Sequence, residues 1–323
     1  MAYLYEKPPL ISPEKLKELS EIKTMRGLFL VLFNYVLIFI TIFLIEKYFN
    51  WYLYLAALPI IASRIGALGV LMHDASHYRV VKNKSLNEVI GHLLLSWPLF
   101  FSVSDFRRNH SLHHRFTNTN DDPDWARKQI NDQWIFPKSK ISIIIMLLKD
   151  IVGIGIIDVI EDIKYTNATK QKNSRNKKKI EKFKPYFYIL AISILFMTGN
   201  FLTFLMYWLI PGLTFGRMII HLRTISDHMA LRNYQHKYSA SRTLIPNVIE
   251  EFFLCPHGIS YHIEHHLYPN VPVYNLPKLH QELIKDDEFK RRAHITKGYL
   301  QLFDECSAGY VEHNDFTVNT SLI

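Results

Sequence analysis

Residues 27–45 read GLFLVLFNYVLIFITIFLI, nineteen residues with no charge and with Asn34 as the one strongly polar side chain. At 1.5 Å per residue, a helix of that length crosses a hydrocarbon core of about 30 Å. A second run, Trp51 to Met72, carries Arg64 as its one charge, and the six residues from Glu46 through Trp51 leave room only for a tight hairpin. Farther along, Tyr186 to Leu213 is uncharged for 28 residues. That is too long for one comfortable span. Thr198-Gly199-Asn200 offers a turn inside it, and the second arm can run on to Ile220. The expected fold is an all-α integral membrane protein with four transmembrane helices, at about 27–45, 51–72, 186–198 and 200–220, paired in two hairpins.

Composition narrows the class further. Of 323 residues, 49% are hydrophobic and 14% aromatic, which excludes intrinsic disorder. A mean hydropathy of +0.01 is too polar for a chain wholly inside the bilayer, so a large part must face water. Cys255 and Cys306 are the two cysteines and form no Cys-x-x-Cys pair. They make neither a disulfide framework nor a thiolate metal site.

The net charge is +9, and its placement sets the orientation. Of the 38 Lys and Arg, five precede Gly27, 20 lie in 73–185 and 11 in 214–323, so 36 fall on one side of the four spans. By the positive-inside rule that side is cytoplasmic, with both termini there. No small-residue cleavage site follows the first span, which argues against a cleaved signal peptide. Two further apolar stretches, Val89 to Val103 with its Trp97-Pro98 and Ile141 to Ile160 with Lys149, Asp150 and Asp158, fit in-plane interfacial helices better than spans. The run 170–184 sets eight Lys and Arg against Glu181 alone. It suits a loop held against anionic head groups, and no nucleic-acid partner is expected. The chain reads as one domain, 1–323, with a cytoplasmic helical cap over 73–185 and 221–323.

Histidine is over-represented, at 16 residues, and eight of them fall in three boxes. The first is His73-Asp-Ala-Ser-His77, the second His110-Ser-Leu-His113-His114, the third His262-Ile-Glu-His265-His266. On a helix, residues i, i+3 and i+4 share a face, so each box is expected to aim its imidazoles at one point. At a histidine frequency of about 0.05, one H-x2-H-H is expected roughly 0.04 times in such a chain; two occur. Neutral imidazole suits zinc, copper, iron and nickel. Eight are too many for one tetrahedral zinc but suffice for two ions with four or more ligands each. Two metals with open positions at a membrane surface point to oxygen chemistry on a lipid-soluble substrate.

The order H-x3-H, H-x2-H-H, H-x2-H-H resembles that of the membrane fatty-acid desaturase superfamily. The flanks agree: His73-Asp-Ala-Ser-His77-Tyr, Arg107-Arg-Asn-His110, Asp122-Pro-Asp-Trp125, and Tyr261-His-Ile-Glu-His-His-Leu-Tyr-Pro-Asn-Val-Pro272. The resemblance covers about residues 27–285. It implies a non-haem di-iron enzyme that uses O2 to remove hydrogens from two adjacent carbons of a fatty acyl chain, or to hydroxylate one. It also implies metal ligands His73, His77, His110, His113, His114, His262, His265 and His266. In acyl-CoA desaturases a further histidine just past the fourth span completes the set. Here that implies His228, in a Ser-Asp-His setting, with His221 as its rival. Where those enzymes carry an Asn four residues earlier, this chain has Thr224. His257 is a further candidate ligand. His92, His236, His280, His294 and His313 are read as non-ligands.

Metal-bound imidazoles usually donate their other N–H to a carboxylate or carbonyl. Asp74, Asp124, Asp227 and Glu264 are the candidate acceptors, and Arg107, Arg108 and Arg223 are candidates to meet either such carboxylates or a substrate head group. No His-Pro-Gly-Gly haem signature occurs, so electrons are expected from a separate ferredoxin or cytochrome b5 type donor. The expected function is an O2-dependent desaturase of an acyl lipid or acyl thioester. A carotenoid ketolase or hydroxylase, or another lipid hydroxylase, is the alternative within the superfamily. A metal-binding membrane receptor or transporter is the alternative outside it, although transporters place ionisable ligands at the midplane, within spans. Tags fused to either terminus should be accessible from the cytoplasm alone, and protection of either tag on the far side would refute the four-span orientation.

Overall fold

The computed structural model describes residues 11–129, 131–161 and 179–308. The chain is mostly helical. After a short α1 (Pro13–Leu19), α2 (Thr24–Lys47) and α3 (Trp51–Ser76) form the first hairpin. Asn50 closes the turn by accepting from the N–H groups of Tyr52 and Leu53 at 2.8 and 3.1 Å, satisfying two of the free donors at the helix start. On α2 the buried residues Gly27, Val31, Asn34, Ile38 and Ile45 form one stripe against α3. Phe29, Leu32, Phe39 and Phe43 stay exposed on its other side, a surface suited to lipid rather than water.

Arg64, the charge within the second run, is buried. Its guanidinium donates to Asn34 Oδ1 at 3.3 Å, to Ser63 Oγ at 2.8 Å and to the Phe252 carbonyl, and lies 3.9 Å from the centre of the Phe252 ring. Ser63 donates to the same carbonyl at 2.6 Å. The charge therefore ties the C-terminal half of the chain to the first hairpin.

Then follow α4 (Lys84–Ile90), continued by a π-helical turn Gly91–Ser96, then α5 (Val103–Phe116), α6 (Pro123–Lys128) and α7 (Lys140–Ile151). Helix α7 buries Ile143 and Asp150 and leaves Ile141, Ile144, Ile145 and Leu148 exposed. The basic run 170–184 lies outside the described residues up to position 178. Beyond it, α8 (Lys184–Met197) meets the expected turn: Gly199 has φ +71°, and the N–H groups of Gly199 and Asn200 donate to the Phe196 and Leu195 carbonyls. Glycine reaches that left-handed conformation without a Cβ clash. The chain returns through α9 (Phe201–Phe204), a π-helical turn (Leu205–Leu209), α10 (Ile210–Leu213) and α11 (Phe215–His228).

Among the described residues, three helical stretches are long and apolar enough to cross a membrane: Pro13–Lys47, Trp51–Ser76 and Phe201–His228. Helix α8, expected as a span over 186–198, has 14 residues and is about 21 Å long at 1.5 Å per residue. An all-α chain was expected, but a two-stranded parallel sheet is also present. Strand β1 (Thr243–Ile245) pairs with β2 (Ile295–Lys297) in the register Thr243↔Ile295, Leu244↔Thr296, Ile245↔Lys297. Three-residue strands are too short to show an alternating pattern in sequence. Between them lie α12 (Val248–Phe253), α13 (His262–Leu267), α14 (Leu276–Leu283) and α15 (Asp287–Arg292), and α16 (Gly298–Ala308) follows.

The described residues form two apolar cores. One fills the hairpin with Val31, Ile38, Ile61, Leu68 and Tyr207; the other gathers Leu222, Ile225, Ile259, Ile263 and Leu276. Helix α3 serves both, through Leu68 and Leu71 in one and Val70 in the other, and it carries the first histidine box at its end. Gly27 decides how closely α2 approaches the strap that follows that box. A Cβ there would lie 2.0 Å from the Val80 carbonyl oxygen. Gly27→Ala should lower thermal stability in detergent, by about 1–3 kcal/mol from the forced backbone shift, although helix propensity alone would favour Ala by about 1 kcal/mol. An unchanged or raised melting temperature would show that the approach is not tight.

Candidate metal centre

Three helices and one helix end carry the box histidines. Helix α3 delivers His73 in its last turn, with His77 as its C-cap residue. Helix α5 delivers the second box; its start is fixed by Ser102, whose hydroxyl accepts from the Asp105 N–H at 3.1 Å. Helix α13 delivers the third, and α11 ends on His228. Arg107 locks the first box to the second. It donates to the Ser76 and Ala75 carbonyls at 2.7 and 3.1 Å, pairs with Glu88 at 2.8 Å, and lies over the Tyr78 ring.

The nine histidines assemble into two adjacent groups. His73, His77, His110, His114 and His265 form one; His113, His228, His262 and His266 form the other. Within each group the possible ligand atoms all lie within 4.8 Å of one another. This corrects the expectation that each H-x2-H-H box aims at one point. In the second box the i, i+4 pair His110 and His114 enters the first group and His113 the other. In the third box the pair His262 and His266 enters the four-histidine group and His265 the five-histidine group. Helical residues i and i+4 lie about 40° apart around the axis and i+3 falls about 60° to the other side, so one box can serve two neighbouring ions.

The inward atoms are Nε2 nitrogens. His228 Nε2 lies 2.9 Å from His262 Nε2 and 3.1 Å from His113 Nε2, and His266 Nε2 lies 3.1 Å from His262 Nε2. In the other group His114 Nε2 is 2.9 Å from both His110 Nε2 and His265 Nε2. Outward contacts set two tautomers. His113 Nδ1 donates to Asp122 Oδ2 at 2.9 Å. The Thr117 hydroxyl donates to the His113 carbonyl at 2.7 Å, so its oxygen accepts from His266 Nδ1 at 3.3 Å. Both rings then present a bare Nε2 lone pair inward.

Burial, reinforced by neighbouring imidazoles, holds His110, His114, His262, His265 and His266 well below the ordinary histidine range. For His77, burial and then the Arg79 and Arg107 charges lower the value to about 4. These rings are neutral at pH 7, the state that ligates metal. Both ring nitrogens of His73 and Nε2 of His77 are buried without a hydrogen-bond partner among the described residues. An unsatisfied buried polar atom costs about 1–3 kcal/mol. Metal ligation would meet that cost, and imidazole donors suit iron as they suit zinc, copper and nickel.

Of the expected acceptors, Asp74 and Glu264 face other partners, whereas Asp227 approaches a box imidazole. Asp74 accepts from the Val273 N–H at 3.2 and 3.3 Å. Glu264 accepts from His280 Nδ1 at 2.6 Å and from the Thr243 hydroxyl at 2.5 Å, which turns it away from the box imidazoles. Asp227 pairs with Arg223 at 3.3 Å and lies 3.9 Å from His262 Nδ1. The backbone N–H of Asp124 donates to Asp122, and Asp122 is the carboxylate that reaches His113. Sequence reasoning missed Asp122 and Thr117. The available signal was Asp122 before Pro123, a helix N-cap pattern: one carboxylate oxygen caps α6 at the Asp124 N–H, which leaves the other for His113. Arg108 pairs with Asp105 at the surface, and Thr224 donates to the Ile220 carbonyl.

His221 and His257 belong to neither group. His221 Nδ1 donates to Asp150 Oδ2 at 2.8 Å, and its ring packs 4.6 Å from the Trp134 ring. His257 Nε2 accepts from Asn34 Nδ2 at 3.0 Å. Among the described residues, His92, His236, His280 and His294 also lie outside both groups, while His313 falls outside the described residues.

The family model for fatty acid desaturases matches residues 49–298, which contain all nine histidines. The chain is 25% identical over 253 residues to the dihydrorhizobitoxine desaturase of Bradyrhizobium elkanii, covering 76% of this chain and 71% of that protein. It is 24% identical over 283 residues to the chloroplastic omega-6 fatty acid desaturase of Spinacia oleracea, with 84% of this chain and 61% of the relative covered. To the sn-1 oleoyl-lipid 12-desaturase of a Picosynechococcus species it is 24% identical over 285 residues, 82% of this chain and 79% of the relative. A match over most of the chain, with two buried histidine groups lying inside the matched residues, identifies this protein as a member of the fatty acid desaturase family.

Proposed function

We propose that this desaturase-family chain is an O2-dependent di-iron enzyme that introduces a double bond into a fatty acyl chain, carried as an acyl lipid or acyl thioester, at the membrane. The division of nine inward imidazoles into groups of five and four is the observation that carries the reading. His73, His77, His110, His114 and His265 would hold one iron; His113, His228, His262 and His266 would hold the other. Bound there, the two irons supply the activation of O2, which with two electrons from a separate ferredoxin or cytochrome b5 type donor, two protons and two substrate hydrogens becomes two waters. The relatives named for an omega-6 fatty acid and for an oleoyl lipid support an acyl substrate.

The chain's own residues have defined tasks. Asp122 holds the proton on His113 Nδ1, and the Thr117 oxygen holds the proton on His266 Nδ1. Each thereby keeps the opposite nitrogen free to ligate and the ring correctly turned. Burial of His73, His110, His113, His228, His262 and His265 keeps water from the centre, which favours productive use of the oxidant.

The same proposal places the chain in the membrane as one multi-pass domain over 1–323. Helices α8 and α9–α11 would form the second hairpin, with 73–185 and 221–323 as a cytoplasmic cap and both termini on that side. The tight turn at Gly199 and the exposed apolar side chains Ile189, Leu190, Ile194 and Phe196 of α8 support it.

Two measurements test the reading. Elemental analysis of purified protein should find about two irons per chain, from the ligand count; one zinc and no iron would remove the di-iron centre. His228→Ala should abolish desaturation in a lipid-analysed expression host and lower the iron content. His221→Ala, which disturbs a ring bonded to Asp150, should cost far less. Loss of iron in His221→Ala with retention in His228→Ala would place the ninth ligand two turns earlier on α11.

A further inference from the structure

Three of the four rings in the smaller group have side chains behind them: Asp122 behind His113, Thr117 behind His266, and Asp227 at 3.9 Å from His262. Among the described residues, His228 has no hydrogen bond to a side chain other than those of His113 and His262. Beyond those imidazoles the ring has the Ala240 backbone within reach, so its position depends on how the backbone around it is held. That backbone lies at the last residue of α11, where the final carbonyls of a helix lose their intrahelical partners.

Those carbonyls are taken up by Arg242. Its guanidinium donates to the Ile225 and Ser226 carbonyls at 3.2 and 2.8 Å through one Nη, and to the Ala230 carbonyl at 2.8 Å through the other. Its backbone N–H donates to the Asp227 carbonyl at 2.9 Å. One residue thus holds carbonyls on both sides of His228. Arg242 has no exposed surface, and it is backed by Glu305 at 3.3 Å. Glu305 in turn accepts from the Thr296 hydroxyl at 2.8 Å and from Gln301 Nε2 at 3.0 Å. His294 Nδ1 accepts from the Arg232 N–H at 2.9 Å, which leaves its Nε2–H to donate to Glu305 at 3.0 Å. The brace therefore runs from the C-terminal helix α16 through Glu305 and Arg242 to the turn that carries His228.

We infer that Arg242 is the positioning residue for His228 in the four-histidine group, holding the end of α11 so that His228 Nε2 meets His113 and His262. The inference rests on the metal-centre reading above. A planar fork can span carbonyls that diverge around a helix end; a lysine ammonium cannot. Removing the fork should loosen one ligand of one ion and leave the five-histidine group intact.

The test is cobalt binding by the full chain in detergent, followed by the visible ligand-field bands and by metal content. Arg242→Lys is compared with wild type, His228→Ala and His265→Ala. Wild type should bind two cobalt ions. In Arg242→Lys the four-histidine ion should bind about 10- to 100-fold more weakly, the usual effect of losing an outer support of a ligand. The bands lost should be those lost in His228→Ala, not those lost in His265→Ala. Glu305→Gln leaves the guanidinium in place with weaker backing, and should weaken the same ion by a smaller factor. Folded Arg242→Lys protein that binds two ions with wild-type affinity, or loses both ions equally, overturns the inference. If Arg242→Lys does not fold, Glu305→Gln decides: selective weakening of the four-histidine ion upholds it, and any other pattern overturns it. Failure of the wild type to bind two ions would overturn the metal-centre reading itself.

Discussion

Nine imidazoles converge in two neighbouring groups, six of the rings buried and three partly exposed, and the rest of the structure has to tolerate this. Burial makes the rings neutral. Where the outer nitrogen already donates, as in His113 and His266, the inner nitrogen carries a lone pair about 3 Å from the Nε2 of His228 or His262. A divalent cation bound there would turn the convergence into ligation and would couple metal affinity to the stability of the helices that carry the rings.

The scaffold holds that convergence by polar contacts that point away from it. Arg107 joins the end of α3 to α5 through two carbonyls and Glu88. Glu264 fastens α13 to His280 and Thr243. Asp74 fastens the end of α3 to the Val273 N–H, just past the third box. Each is buried, or reaches a buried partner, so each missing partner would leave a costly orphan. These bonds select one arrangement of four helix ends, something apolar packing alone does loosely. Arg64 performs a comparable service deeper in the hairpin, where Asn34, Ser63 and the Phe252 carbonyl share its donors.

Much of this was legible in the chain before any coordinates. Uncharged runs show where helices must satisfy their own backbone, and the predicted 27–45, 51–72 and 200–220 segments coincide with three long apolar helices. The turn at Thr198-Gly199-Asn200 was readable because a left-handed residue there calls for glycine. The histidine boxes stood out because their spacing is far from chance. The expected segment at 186–198 is helical over Lys184–Met197, within two residues of the apolar run at either end, and its 14 residues are short for a full bilayer crossing.

By itself, the sequence determined which residue types could build a metal centre, how they are spaced along helices, and where the chain is apolar enough for a membrane. Only the tertiary structure decided which histidine joins which of the two groups. That follows from the directions in which a helix presents i, i+3 and i+4 to two neighbouring points, and it needs the other helices in place. The tertiary structure also set which carboxylate stands behind His113: Asp122 caps α6 with one oxygen, and the packing of α6 against α5 brings its other oxygen to the ring and to the Asn118 N–H. The brace from Glu305 through Arg242 to His228 joins residues up to 77 positions apart in sequence. No local pattern encodes a contact of that range, which exists only when the end of α11 is packed against the β1–β2 pair.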